Sequence, residues 1–128
     1  MTVKYTKSGL WIEELENTYR VGLSEKGQDD VGDVMFVELP DFEDKLEVGQ
    51  NLIGVEGAKA VTEISSPISG SVEKVHKELE DNTELLNSTD REENWILELA
   101  DVLGFNSAEF SEDPWFGEET AEESNNQG

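Results

Sequence analysis

Apolar residues in the first hundred positions recur mostly every second residue. Tyr19, Val21 and Leu23 alternate with polar or small residues, and Met35, Val37 and Leu39 do the same just before Pro40. Val34 and Phe36 fill the other face of that second segment, so it is expected to lie between two layers. Leu10-Trp11-Ile12 reads as a shorter strand, with Glu16-Asn17 in the turn before Tyr19. The rhythm breaks from Ser24 to Val31, a polar stretch that is acidic near its start. One or two helical turns capped by Ser24 are expected there, and Gly32-Asp33 turns the chain into the next strand.

From Val48 to Val75 the apolar residues come in short pieces: Leu52, Ile53 and Val55, then Val61 and Ile64, then Ile68, Val72 and Val75. Gly49, Gly54, Gly57 and Gly70 separate them, and Pro67 stands where a turn or edge strand tolerates a missing amide donor. Lys59 falls near the midpoint, so a compact β structure with a central hairpin and Lys59 at its tip is the simplest reading. Glu84 to Asn87 reads as a helical turn, and Trp95, Leu97 and Leu99 as one face of a last core strand. Leu103, Phe105 and Phe110 fit one face of a short C-terminal helix.

Composition narrows what such a β domain does. The chain has 128 residues, 31 acidic and 9 basic, for a formal charge of −22. The length suits one domain, read as residues 1–112, with an acidic, flexible tail at 113–128. Asp101 to Gly128 contributes −8 of the charge, leaving the first hundred residues at −14. So negative a surface disfavours nucleic acid and anionic membranes and suits basic clefts on partner proteins, though solubility alone would also account for it. There are no cysteines and one histidine, His76, which excludes thiolate chemistry and makes a zinc site poor. Met1 to Gly9 lacks a signal peptide's apolar stretch, and no run is long enough to span a membrane, so the expectation is a cytoplasmic protein.

The candidate site is Val55-Glu56-Gly57-Ala58-Lys59-Ala60-Val61. Very small residues flank a lone lysine, which exposes the ammonium and allows another protein's backbone to approach closely. On spacing alone this suits either a lysine that enters a modifying enzyme or an ordinary solvated turn lysine. Gly49 and Gly54 have the glycine spacing of a phosphate loop, but no Lys-Ser or Lys-Thr completes it.

Further motifs accompany the lysine in order: Val37-Glu38-Leu39-Pro40, the segment around Lys59, Ser66-Pro67-Ile68-Ser69-Gly70, Leu86-Asn87 and Asn94-Trp95. From about Tyr5 to Val102 this series resembles the glycine cleavage system H protein family. The resemblance implies a mostly β, lipoyl/biotinyl-type (barrel-sandwich hybrid) fold with short helices at the C-terminal end. It implies a carrier without its own catalytic centre, bearing lipoate on Lys59, with Glu56, Gly57, Ala58, Ala60 and Glu63 around the cofactor. The implied partners are a lipoate ligase or lipoyltransferase, the glycine cleavage decarboxylase, the aminomethyltransferase and dihydrolipoamide dehydrogenase. The chemistry is consistent with that. A free lysine titrates near pH ~10.4, so acylation needs an activated donor, and it removes the charge.

The chain departs from the family at the first strand. Ser8-Gly9-Leu10-Trp11 stands where the family has His-Glu-Trp, so leucine replaces an acid placed to hold an amine carried on the arm. Glu63 keeps a carboxylate four residues after the lysine, His76 replaces an Asn, and Thr89-Asp90 replaces Pro-Tyr. The departure bears on the glycine cleavage step more than on carrier status. Leu10-Trp11-Ile12-Glu13, Gln28-Asp29-Asp30 and Glu92-Glu93-Asn94-Trp95 resemble H-like lipoyl carriers that work with a lipoate ligase, a macrodomain and a sirtuin-type enzyme. A biotin carrier, whose lysine usually sits between methionines, and an unmodified interaction module are the remaining alternatives.

The other polar clusters are read as structural. His76 is expected at a strand edge in hydrogen bonds, Asp29, Asp30 and Asp33 as a solvated helix end, and Asp41, Glu43, Asp44 and Glu47 as an exposed turn. Trp11 and Trp95 are expected in the core. Trp115 and Phe116 have two readings, docking a partner or packing back onto the body.

Overall fold

The computed structural model describes residues 3–103 and 110–116. Among these residues, nine strands form two antiparallel sheets. The larger has the order β1 (Val3–Tyr5), β2 (Leu10–Glu14), β3 (Thr18–Leu23), β9 (Trp95–Leu103), β8 (Ser69–Val75) and β5 (Lys45–Leu46). The smaller has the order β4 (Val34–Glu38), β6 (Asn51–Gly57) and β7 (Val61–Ser65). Leu10, Ile12, Val21 and Leu23 from the first sheet and Leu52, Ile53 and Val55 from the second belong to one buried cluster, closed by Leu97 and Leu99. Each layer hides the apolar face of the other, as the mostly β reading requires.

Helix α1 (Glu25–Val31) lies where the break in alternation puts it. Ser24 Oγ accepts from the Gly27 amide at 3.2 Å, satisfying one of the free first-turn donors. Gln28 ties this helix across the molecule by donating to the Leu86 and Ser88 carbonyls at 2.8 and 2.6 Å. Leu86 lies within and Ser88 just after the 3-10 turn Thr83–Asn87, which lies between two single-turn helices, α2 (Glu78–Asp81) and α3 (Arg91–Asn94). The short helices thus lie in the C-terminal half, ahead of the last strand.

Three local expectations are corrected. Strand β4 is not apolar on both buried faces. A bulge between Val34 and Phe36 turns Val34 and Val37 inward and leaves Met35 and Phe36 57% and 59% exposed. In β9 the irregularity opposite Val21 and Gly22 takes Ile96 out of the ladder, so Ile96 is buried and Trp95 only half-buried. Glu98, on an apparently polar face, is buried as well; Arg20 Nη2 reaches it at 2.7 Å. Finally, Leu103 ends β9 and Phe110 sits in a bend against the core, so these two do not share a helix, while Phe105 lies outside the described residues.

Trp11 is in the interior, where its indole N–H donates to Asn94 Oδ1 at 2.8 Å. Trp95 stacks on His76 with ring centres 4.3 Å apart, and the Arg20 guanidinium covers the indole at 5.2 Å. His76 Nδ1 lies 2.7 Å from the Trp95 carbonyl, a hydrogen-bonded role for the histidine just past β8. Of the tail expected from residue 113, residues 113–116 pack back beside β1, and residues 117–128 lie outside the described residues.

Candidate functional site

Lys59 lies in the turn between β6 and β7, and both sides of that turn are fixed by backbone hydrogen bonds. The Gly57 amide donates to Ala60 O at 2.9 Å and closes the bend. The Lys59 amide donates to Val31 O at 2.8 Å, and the Ala58 amide to Asp33 O at 3.0 Å. The hairpin tip is therefore clamped to the exit of α1, and only side chains are left free to project.

Two glycines make this approach possible. At Gly57 an added Cβ would collide with the Val31 carbonyl. Gly32 has φ +78°, a conformation that L side chains rarely adopt, and a Cβ there would lie 3.0 Å from Lys59 Cγ. Gly57 is buried, whereas Glu56, Ala58, Ala60 and Glu63 are exposed around the lysine. The small flanks thus serve the clamp as well as access.

The lysine side chain is 61% exposed. Its ammonium donates to the Asp29 carbonyl at 3.1 Å and lies 3.7 Å from Asp29 Oδ1, a carboxylate that is itself 53% exposed. A contact this open and loose is readily exchanged for water. Asp29 and Asp30 are thus not merely solvated: Asp30 accepts from Lys26 Nζ at 2.8 Å, and Asp29 faces Lys59.

Lys59 borders an open cleft of about 410 Å³. Glu25, Asp29, Asp33, Asn87, Thr89 and Trp115 are among the residues that line it. Trp115 and Asp29 are not legible in the sequence as neighbours of Lys59, because helix exit, hairpin and C-terminal segment meet only in the folded chain. Leu10 is fully buried and brings no carboxylate to the surface. Outside the cleft, cross-strand pairing aligns Phe36, Glu56 and Val61 in one exposed row beside the tip, with Val61 74% exposed. No helix among the described residues is long and apolar enough to cross a membrane.

Two packed sheets thus hold an exposed lysine at a hairpin tip. The chain belongs to the glycine cleavage H-protein family, whose model matches residues 3–123. A glycine cleavage system H protein of Vibrio campbellii is 42% identical over 99 residues, 77% of this chain and 79% of that protein. One from Staphylococcus carnosus is 37% identical over 97 residues, 76% and 77% of the two chains. The crystal structure of the H protein from Mycobacterium marinum superposes with a TM-score of 0.69 over 80% of this chain and 87% of that one. Its identity is 23%, so that likeness speaks for the fold.

Proposed function

We propose that this chain is a lipoyl carrier whose arm is attached to Lys59 and that it moves a group or reducing equivalents between partner enzymes. The observation that carries the reading is the lysine itself, 61% exposed on a rigid tip with alanine on either side. Amide formation requires the amine to shed its proton and attack an activated acyl donor, whose leaving group departs. The loose Asp29 contact leaves Nζ accessible for that step. Lipoate supplies a dithiolane whose reduced form can take up and release a group inside a partner's site. The polypeptide supplies attachment and high local concentration. Glu56 and Glu63 belong to the surface the modifying enzyme meets, and an enzyme with a basic rim complements it.

The family points to the glycine cleavage decarboxylase, aminomethyltransferase and dihydrolipoamide dehydrogenase as partners. A second reading, an H-like carrier serving a ligase, macrodomain and sirtuin-type relay, is favoured by Leu10: a buried leucine cannot hold a carried amine. Intact mass after expression with lipoate and a lipoate ligase is expected to give one lipoyl adduct, absent in Lys59→Ala. An adduct persisting in that variant removes Lys59 from the reading, and an avidin blot of the same sample separates biotin from lipoate. Glycine–bicarbonate exchange with the decarboxylase is expected to be weak. Exchange equal to that of an H protein with the acid in place would defeat the second reading.

A further inference from the structure

Each sheet ends in two edge strands, whose outward backbone groups must find a partner or water. Three of the four edges here are covered or short. Beside β1, Tyr5 and Ser111 exchange backbone hydrogen bonds at 2.7 and 3.1 Å. Strand β5 is two residues long. Along β4, Asn87 Oδ1 accepts from the Val34 amide and Glu80 Oε2 from the Leu39 amide, both at 2.9 Å. Strand β7 is different: it runs for five residues, pairs only with β6, and carries no proline.

The pairing fixes which groups of β7 face outward. Gly57 and Ala60 form the bonded pair that closes the hairpin, and bonded pairs alternate along an antiparallel ladder. Thr62 and Ile64 therefore bond to Val55 and Ile53, and the amides and carbonyls of Val61 and Glu63 point away from β6. None of those groups has a hydrogen-bond partner among the described residues.

Side-chain chemistry says what fits there. On the exposed face one cross-strand row holds Phe36, Glu56 and Val61, and the next holds Glu38, Gly54 and Glu63. Phe36 and Val61 are 59% and 74% exposed. No Lys or Arg among the described residues is ion-paired with Glu38, Glu56 or Glu63. Apolar area beside unpaired carboxylates complements an extended segment that alternates apolar and basic side chains. A second copy fits poorly, because β7 has no cation to set opposite Glu63 and each chain carries a formal charge of −22.

We propose that the open edge of β7 takes up an extended, basic segment of the lipoate ligase as an added strand. That strand bonds to the Val61 and Glu63 backbone, sets a Lys or Arg opposite Glu63 and lays an apolar side chain on Val61. Because β7 starts two residues after Lys59, the addition holds the ligase beside the amine it must acylate. The proposal rests on the reading of Lys59 as the lipoylated residue and names how the ligase recognises its surroundings.

The test uses the full chain with lipoate, ATP and purified ligase. Glu63→Pro removes one outward amide without touching a bond to β6, a change that edge strands tolerate, whereas Glu63→Gln removes only the charge. The KM for Glu63→Pro is expected to exceed that for Glu63→Gln about 5- to 10-fold with kcat little changed, the effect of one lost hydrogen bond. A second measurement leaves β7 intact and decides if the proline variant fails to fold. In Lys59→Arg saturated with ligase, hydrogen exchange at the Val61 and Glu63 amides is expected to slow about tenfold or more. Unchanged exchange at those amides in the saturated complex, or equal KM values for the two folded variants, overturns strand addition while leaving lipoylation standing. Protection that grows with the concentration of the chain alone makes a second copy the occupant and overturns it too. Failure of the wild type to form an adduct overturns the attachment reading and this site with it.

Discussion

Arg20 and Glu98 show how much one pair can decide. Glu98 is 4% exposed and receives Arg20 Nε at 2.9 Å as well as Nη2, while the guanidinium also covers Trp95. Removing the cation alone strands a carboxylate in the interior, which costs far more than a surface ion pair contributes. Arg20→Ala is expected to lower unfolding stability by about 3 kcal/mol in urea melts. A second residue gives a pH signature. Burial, and then the Glu14 charge, raise the Tyr19 phenol above its usual 10.0. Both folded and unfolded chains hold that proton below pH 10, but above it the unfolded chain releases its proton first. Tyr19's contribution is therefore present below about pH 10 and lost as pH rises through the folded value. Tyr19→Phe should flatten that alkaline fall in melts followed across the range.

At the scale of elements, the proposed site rests on the contact between hairpin and helix exit. Two glycines on one strand test it. At Gly54 a new Cβ meets nothing nearer than 3.7 Å, so Gly54→Ala should leave the fold and the acylation rate close to wild type. At Gly57 it meets the Val31 carbonyl, so Gly57→Ala must push β6 away from α1. A cost of about 1–3 kcal/mol is expected, with slower acylation of Lys59 by a lipoate ligase. The row beside the tip makes the opposite prediction. Phe36→Ala removes an exposed ring, so melting should hardly change while acylation slows about tenfold, as when an interface anchor is truncated. Equal acylation rates would take Phe36 out of the recognised surface.

Much of the element map is legible before folding is considered. Ser24 and the polar run after it mark α1, and the glycine-separated segments mark the hairpin with Lys59 at its bend. Two of the three errors fall where a single residue leaves the ladder. Val34, Met35, Phe36 and Val37 read as two buried faces when strict alternation is assumed, and a bulge resets it. Trp95, Ile96 and Leu97 are misassigned for the same reason.

For the whole molecule, charge is the dominant long-range quantity. A chain with a formal charge of −22 repels itself when folded, and added salt relieves that repulsion. Raising ionic strength from about 0.01 to about 0.15 M shortens the screening length from roughly 30 to roughly 8 Å. The melting temperature should therefore rise, while association with a basic partner slows. A melting temperature indifferent to salt would mean that repulsion is no significant part of the stability.

The sequence by itself determined the β architecture, the capped helix, the acidic surface and the lysine's place at a bend. These are local or compositional: alternation, caps, turns and charge are written in neighbouring residues. Only the tertiary structure decided that Asp29 meets the ammonium, that Gly57 and Gly32 admit the hairpin against α1, and that Trp115 lines the same cleft. Residues 29, 59 and 115 are far apart along the chain, and no periodicity links them. Their meeting comes from how two sheets, one helix and a returning segment close over a shared core.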